Sequence, residues 1–74
     1  MNISYYYNRN EGTQYIIDLL TQKYSLETCF SDRGELVLKN DDFLLYIKSK
    51  YVFLHFLSEK SELITGVTKS FNLQ

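Results

Sequence analysis

Apolar side chains crowd residues 43–57, and they fall on two alternating sets. Phe43, Leu45, Ile47, Val52, Leu54 and Phe56 make one set. Leu44, Tyr46, Tyr51, Phe53, His55 and Leu57 make the other. Lys48-Ser49-Lys50 interrupts the run in its middle. On a helical wheel those three polar residues point in well-separated directions and leave no apolar stripe. In a hairpin they gather at the tip, so period-two alternation predicts two strands rather than one buried helix. The tip lacks Gly and Asn, which favours a four-residue connection over a two-residue one.

The pattern on either side extends this sheet. Residues 3–7 are short and aromatic, as a strand is. Asn8 to Thr13 read as a turn into a helix, with Asn10 or Thr13 as N-cap. Ile16, Leu19, Leu20 and Tyr24 then recur at helical spacing and predict an amphipathic helix. Residues 26–31 and 35–39 read as strands around Asp32-Arg33-Gly34, a three-residue hairpin loop with glycine at the left-handed position. Asn40-Asp41 reads as the next turn. After 52–57 comes a polar turn at Glu59-Lys60-Ser61-Glu62, and residues 63–68 read as a final strand.

Register links these elements. With those turns, Phe30 lies opposite Leu36, Leu38 opposite Phe43, Leu36 opposite Leu45 and Ile47 opposite Val52. Leu45 then faces Leu54, Phe43 faces Phe56, and Phe56 faces Thr65. A one-residue slip would invert every side chain, yet four independently chosen turns place one apolar set on one face. The expected fold class is therefore α+β. One N-terminal helix packs on one face of a mostly antiparallel five- to six-stranded meander sheet, in the order β-α-β-β-β-β-β. The first strand is expected parallel to its neighbour, because a helix separates the two.

The other face is the functional lead. It carries Cys29, Val37, Leu44, Tyr46, Tyr51, Phe53, His55, Leu57 and Ile64, with Glu27, Glu35, Lys39 and Lys48 among them or at the margin. A solvated sheet face is normally polar. An apolar one is covered by its own chain, here by the tail 70–74 or by sheet twist, or by a partner. Leu44, Tyr46, Tyr51, Phe53 and His55 are the expected partner-binding residues, for another protein or for a second copy in a homodimer.

Composition narrows the field. Seventy-four residues read as one small domain over 1–74. Aromatic residues make up 16% and the formal net charge is −1, which excludes a disordered chain and a protein built mainly to grip phosphate backbones. The single Cys29 excludes an internal disulfide and points to the cytoplasm of a bacterial or host cell. The start Met1-Asn2-Ile3-Ser4 has no basic region before an apolar one, as a signal peptide would, and no apolar run is long enough to span a bilayer. Alanine, proline and tryptophan are absent, and Gly and Arg are scarce. Asn, Ile, Lys, Tyr and Phe abound, the codon bias of an AT-rich genome such as a phage, a plasmid or a low-GC bacterium.

No catalytic constellation stands out. His55 is the single histidine and has no partner at a readable spacing; an ordinary strand histidine is expected. Cys29 has no cationic or helix-N-terminal setting to activate it. Asp41-Asp42 with one Cys and one His makes no metal site, and the isolated glycines make no phosphate loop. In Tyr5-Tyr6-Tyr7, alternation buries two rings and shows one. The basic residues read as a solvated rim. No enzyme, cofactor, metal or small-molecule substrate is expected. The expected function is a small non-catalytic protein-binding domain, in the manner of a phage or mobile-element inhibitor of a host protein, acting through the aromatic face or an open sheet edge. The alternative is single-stranded nucleic-acid binding, with Tyr46, Tyr51 and Phe53 stacking bases beside Lys48 and Lys50. Glu27, Glu35 and the net charge count against it.

Overall fold

A computed structural model of the chain describes residues 3–72. Met1, Asn2, Leu73 and Gln74, the extremes of the N-terminal start and of the tail 70–74, lie outside the described residues. The elements are β1 (Ile3–Asn8), α1 (Glu11–Lys23), β2 (Glu27–Phe30), β3 (Leu36–Lys39), β4 (Phe43–Ile47), β5 (Tyr51–Phe56) and α2 (Ser61–Asn72). The fold is α+β, with the five strands in one antiparallel sheet ordered β1-β5-β4-β3-β2.

Local chemistry sets the ends of α1. Asn10 is the N-cap, and its side-chain oxygen accepts from the Thr13 N–H at 2.9 Å. The buried Thr13 hydroxyl in turn donates to the Asn8 carbonyl, tying the helix start to the end of β1. At the other end the Leu26 N–H donates to the Thr21 carbonyl at 3.1 Å around Ser25, which has φ 53. This is a Schellman-type stop with serine in the left-handed position that glycine usually fills. The buried stripe is Thr13, Ile16, Ile17 and Leu20. The predicted stripe is thus corrected at one place: Leu19 is exposed and Ile17 takes the core.

Three turns decide the sheet register. Ser31 N–H bonds the Glu35 carbonyl around Asp32-Arg33-Gly34, and Gly34 has φ 79, so this loop is as the sequence predicts. The tip of the β4–β5 hairpin runs between the last ladder pair, Ile47 and Val52. Three residues, Lys48 to Lys50, connect the two strands where four were expected, and Lys48 N–H donates to the Tyr51 carbonyl at 3.0 Å. The β3–β4 turn differs from expectation. Asn40 Oδ1 accepts from the N–H groups of Asp42 and Phe43, at 2.8 and 2.9 Å, so Asn40 opens the turn instead of forming its centre. Moving a two-residue turn by one position shifts the register by two. Leu38 therefore faces Leu45, not Phe43, and Leu36 faces Ile47, not Leu45. A shift of two preserves the face, so the core residues are unchanged. The other expected pairs in these hairpins are present: Phe30 with Leu36, Leu45 with Leu54, Phe43 with Phe56, and Ile47 with Val52.

Two larger expectations are overturned. Residues 63–68 form no sixth strand; they lie inside α2, so Phe56 has no partner at Thr65 and instead pairs with Ile3 of β1. Nor is β1 parallel to its neighbour, since it runs antiparallel to β5. The crossover argument holds in a weaker form. Counting four reversals across the sheet, β1 and β2 run in the same sense, but they occupy opposite edges and α1 spans the sheet between them.

Both helices lie on one side. Ile16, Ile17 and Leu20 of α1 and Val67 and Phe71 of α2 join Leu38, Phe43, Leu45, Val52, Leu54 and Phe56 in a single buried cluster. Asp42 secures the path into α2. Its carbonyl accepts from Leu57 N–H at 2.7 Å, and its carboxylate meets Ser58 Oγ at 3.2 Å and Lys60 Nζ at 3.1 Å. No helix among the described residues is long and apolar enough to cross a membrane.

Candidate interaction surface

Because both helices sit on one side, no layer among the described residues lies over the other face of the sheet. Register aligns its side chains in rows across the strands. The middle row is Tyr6, Phe53, Tyr46, Val37 and Cys29, running from β1 to β2. On one side of it stand Asn8 and Tyr51, with Lys48 and Glu35 beyond them at the hairpin ends. On the other side stand Ser4, His55, Leu44, Lys39 and Glu27.

The expected site residues Leu44, Tyr46, Tyr51, Phe53 and His55 thus all share this face. Ile64, expected among them, is not there: it is carried by α2 and packs against the core on the opposite side. The tail does not cover the face within the described residues, since Phe71 is buried in the core beneath the sheet.

The rings form a connected array. Tyr6 stacks on Phe53 at 4.8 Å between centroids and meets Tyr51 at 5.4 Å. Phe53 meets Tyr46 at 5.6 Å and His55 at 6.1 Å. Tyr6 is 67% exposed, Tyr51 38% and Leu57, just past β5, 54%. Phe53, Tyr46, Leu44 and His55 are half-buried by one another. Such adjacency spares each ring part of its contact with water while leaving a continuous apolar surface.

Tyr6 was missed as a site residue. Ser4, Tyr6 and Asn8 alternate with Ile3, Tyr5 and Tyr7, and that pattern is legible in the sequence. The position of β1 beside β5 is not, and it alone brings Tyr6 onto Phe53. Of the tyrosine triplet, Tyr5 and Tyr7 do point to the helix side, as alternation requires. Tyr5 remains 37% exposed because β1 is an edge strand.

Charges on the face are few and balanced. Lys48 pairs with Glu35, and its ammonium lies 5.7 Å from the centre of the Tyr46 ring. Lys39 and Glu27 stand opposite each other on β3 and β2. At this corner a depression of about 530 Å³ opens between Glu27, Lys39, Asp41 and Leu57.

Ser4 Oγ lies 3.0 Å from His55 Nδ1. Cys29 is a half-buried free thiol in the middle row. No group of three or more His, Cys, Asp and Glu among the described residues could hold a metal ion. No family model, curated protein or solved structure matches this chain.

Proposed function

We propose that this chain is a non-catalytic protein-binding domain, and that the Tyr6/Tyr46/Tyr51/Phe53 face is its docking surface. One observation carries this. Two helices cover one side of a five-stranded sheet, and the other side presents joined aromatic rings with no layer of described residues over them. Aromatic rings with polar tips supply area at low entropic cost, which is why Tyr is enriched at protein interfaces. His55 and Leu44 extend the surface. The AT-rich composition fits a phage or mobile-element gene, and an inhibitor of a host protein is a role that needs only such a surface.

Nucleic-acid stacking uses the same rings but needs a cationic rim. Here Glu27 and Glu35 offset Lys39 and Lys48 on the face itself. A complex held by phosphates would weaken steeply with salt, whereas an aromatic protein interface would not.

The test is a double substitution, Tyr6→Ser with Tyr51→Ser. Both rings are exposed, so the fold should survive, as circular dichroism would show. Association with a protein partner, whether itself or another protein from the native cell, should be lost. Association unchanged by the double substitution would remove this face as the docking surface.

A further inference from the structure

Two aligned sheets pack face to face with strands within about 30° of each other. For two copies of this chain whose sheets overlap completely, related by a two-fold axis lying in the interface, that leaves two arrangements. The axis runs either along the strands or along the middle row.

Charge separates them. With the axis along β4, Lys48 would meet its own copy, and Lys39 would meet His55. With the axis along the row Tyr6-Phe53-Tyr46-Val37-Cys29, each strand position two residues before the row exchanges with the position two residues after it. On β3, Glu35 precedes Val37 by two and Lys39 follows it by two. Glu35 of each copy then meets Lys39 of the other, twice over. By the same count Tyr51 meets His55, Asn8 meets Ser4, and the Lys48 stem lies over Leu44. No like charges sit directly opposite; Lys48, paired with Glu35 of its own copy, stands beside Lys39 of the other, so each Glu35 lies between two lysines. Tyr46 and Phe53 face their own counterparts near the centre, and Tyr6 does so at the β1 edge.

The size is adequate. Five strands about 4.8 Å apart and five residues deep give about 400 Å² in projection, or on the order of 600–800 Å² of accessible surface. That is the lower part of the range for a standard interface, about 800 Å² per partner.

From this geometry we infer that the occupant of the aromatic face is a second copy of the chain. The copies pack sheet to sheet about a two-fold axis along the middle row, with reciprocal Glu35–Lys39 ion pairs at the margin. The inference rests on the proposed docking face and names its partner.

Charge reversal on β3 tests it. Glu35→Lys gives a chain with two lysines at these positions, and Lys39→Glu gives one with two glutamates. Neither should pair with itself, and each should dimerise at least about tenfold more weakly than the parent chain. A one-to-one mixture should return dimers, because both contacts in the mixed pair are then opposite in sign. Solution mass by light scattering or sedimentation reads all three samples, with circular dichroism confirming that each variant is folded. A parent chain monomeric at about 0.5 mM, variants that dimerise like the parent, or a mixture that stays monomeric would each overturn the arrangement. The docking face itself is judged separately, by loss of any protein partner in the Tyr6→Ser/Tyr51→Ser chain. A monomeric parent that still loses a different partner on that double substitution sinks the two-fold and leaves the face standing.

Discussion

The rings of Tyr7 and Phe71 stack 4.4 Å apart and within 12° of parallel, joining the first strand of the chain to its last helix. The contact closes the core at the β1 edge. It explains why a twelve-residue helix with a glycine in its middle holds its place.

Removing that ring should be costly. Phe71 is 1% exposed, so Phe71→Ala loses both transfer free energy and packing, about 3–5 kcal/mol. A chain this size has a total stability of about 4–11 kcal/mol. Urea titration should show a largely unfolded variant or a midpoint shifted far down. Phe71→Leu, which keeps most of the volume, should cost much less. A loss under about 1 kcal/mol for the alanine variant would mean that α2 does not cover the core in solution.

Alkaline pH should act through the same contact. Burial, and secondarily the neighbouring Tyr5 hydroxyl, push the Tyr7 phenol above its ordinary value of 10.0. The folded state therefore holds its proton more tightly than the unfolded state. Stability is full below the unfolded value, and it falls as pH rises from about 10 through the folded value. Tyr7→Phe should flatten part of that decline in thermal melts recorded between about pH 9 and 11. An identical decline in both chains would assign it to other groups.

Ser25→Gly should stabilise the protein. Ser25 sits at φ 53 in the stop of α1, where a side chain costs about 1–2 kcal/mol that glycine avoids. Glycine loses more backbone entropy on folding, which leaves a net gain of about 0.5–1 kcal/mol. For a domain of this length that raises Tm by a few degrees, about 4–8 °C per kcal/mol. A lower Tm would show that the serine side chain contributes something its backbone angle conceals.

Tyr6→Ser alone should barely touch stability. Its ring is 67% exposed and rests on Phe53 within a cross-strand pair, a contact worth about 0.2–1 kcal/mol. The contrast with Phe71→Ala is the sharpest stability test of which side of the sheet is covered. Comparable losses for both variants would place a structural layer over the aromatic face.

The hairpin over 43–57 was legible because its alternation and its polar tip are local facts. So was the Asn10 cap, whose oxygen reaches only three residues ahead. The glycine at the β2–β3 loop was legible for the same reason. The second helix was misread although its period is present: Ile64, Val67 and Phe71 recur at i, i+3 and i+7. The β-branched run and Gly66 around residues 63–68 look extended when taken alone. The candidate site was legible to the extent that it belongs to one hairpin. Leu44, Tyr46, Tyr51, Phe53 and His55 follow from alternation, whereas Tyr6 enters from a strand more than forty residues away in sequence.

What the chain alone determined is the division of each strand into two faces and the residues that lie on each, because side-chain alternation is a property of neighbouring peptide units. Tertiary structure decided which edge β1 joins and that residues 61–72 coil. A sheet about 20 Å wide needs two helices about 10 Å apart to shield one side. Only the assembled sheet imposes that demand. Once both helices meet it on the same side, no described residue is left to cover the aromatic side.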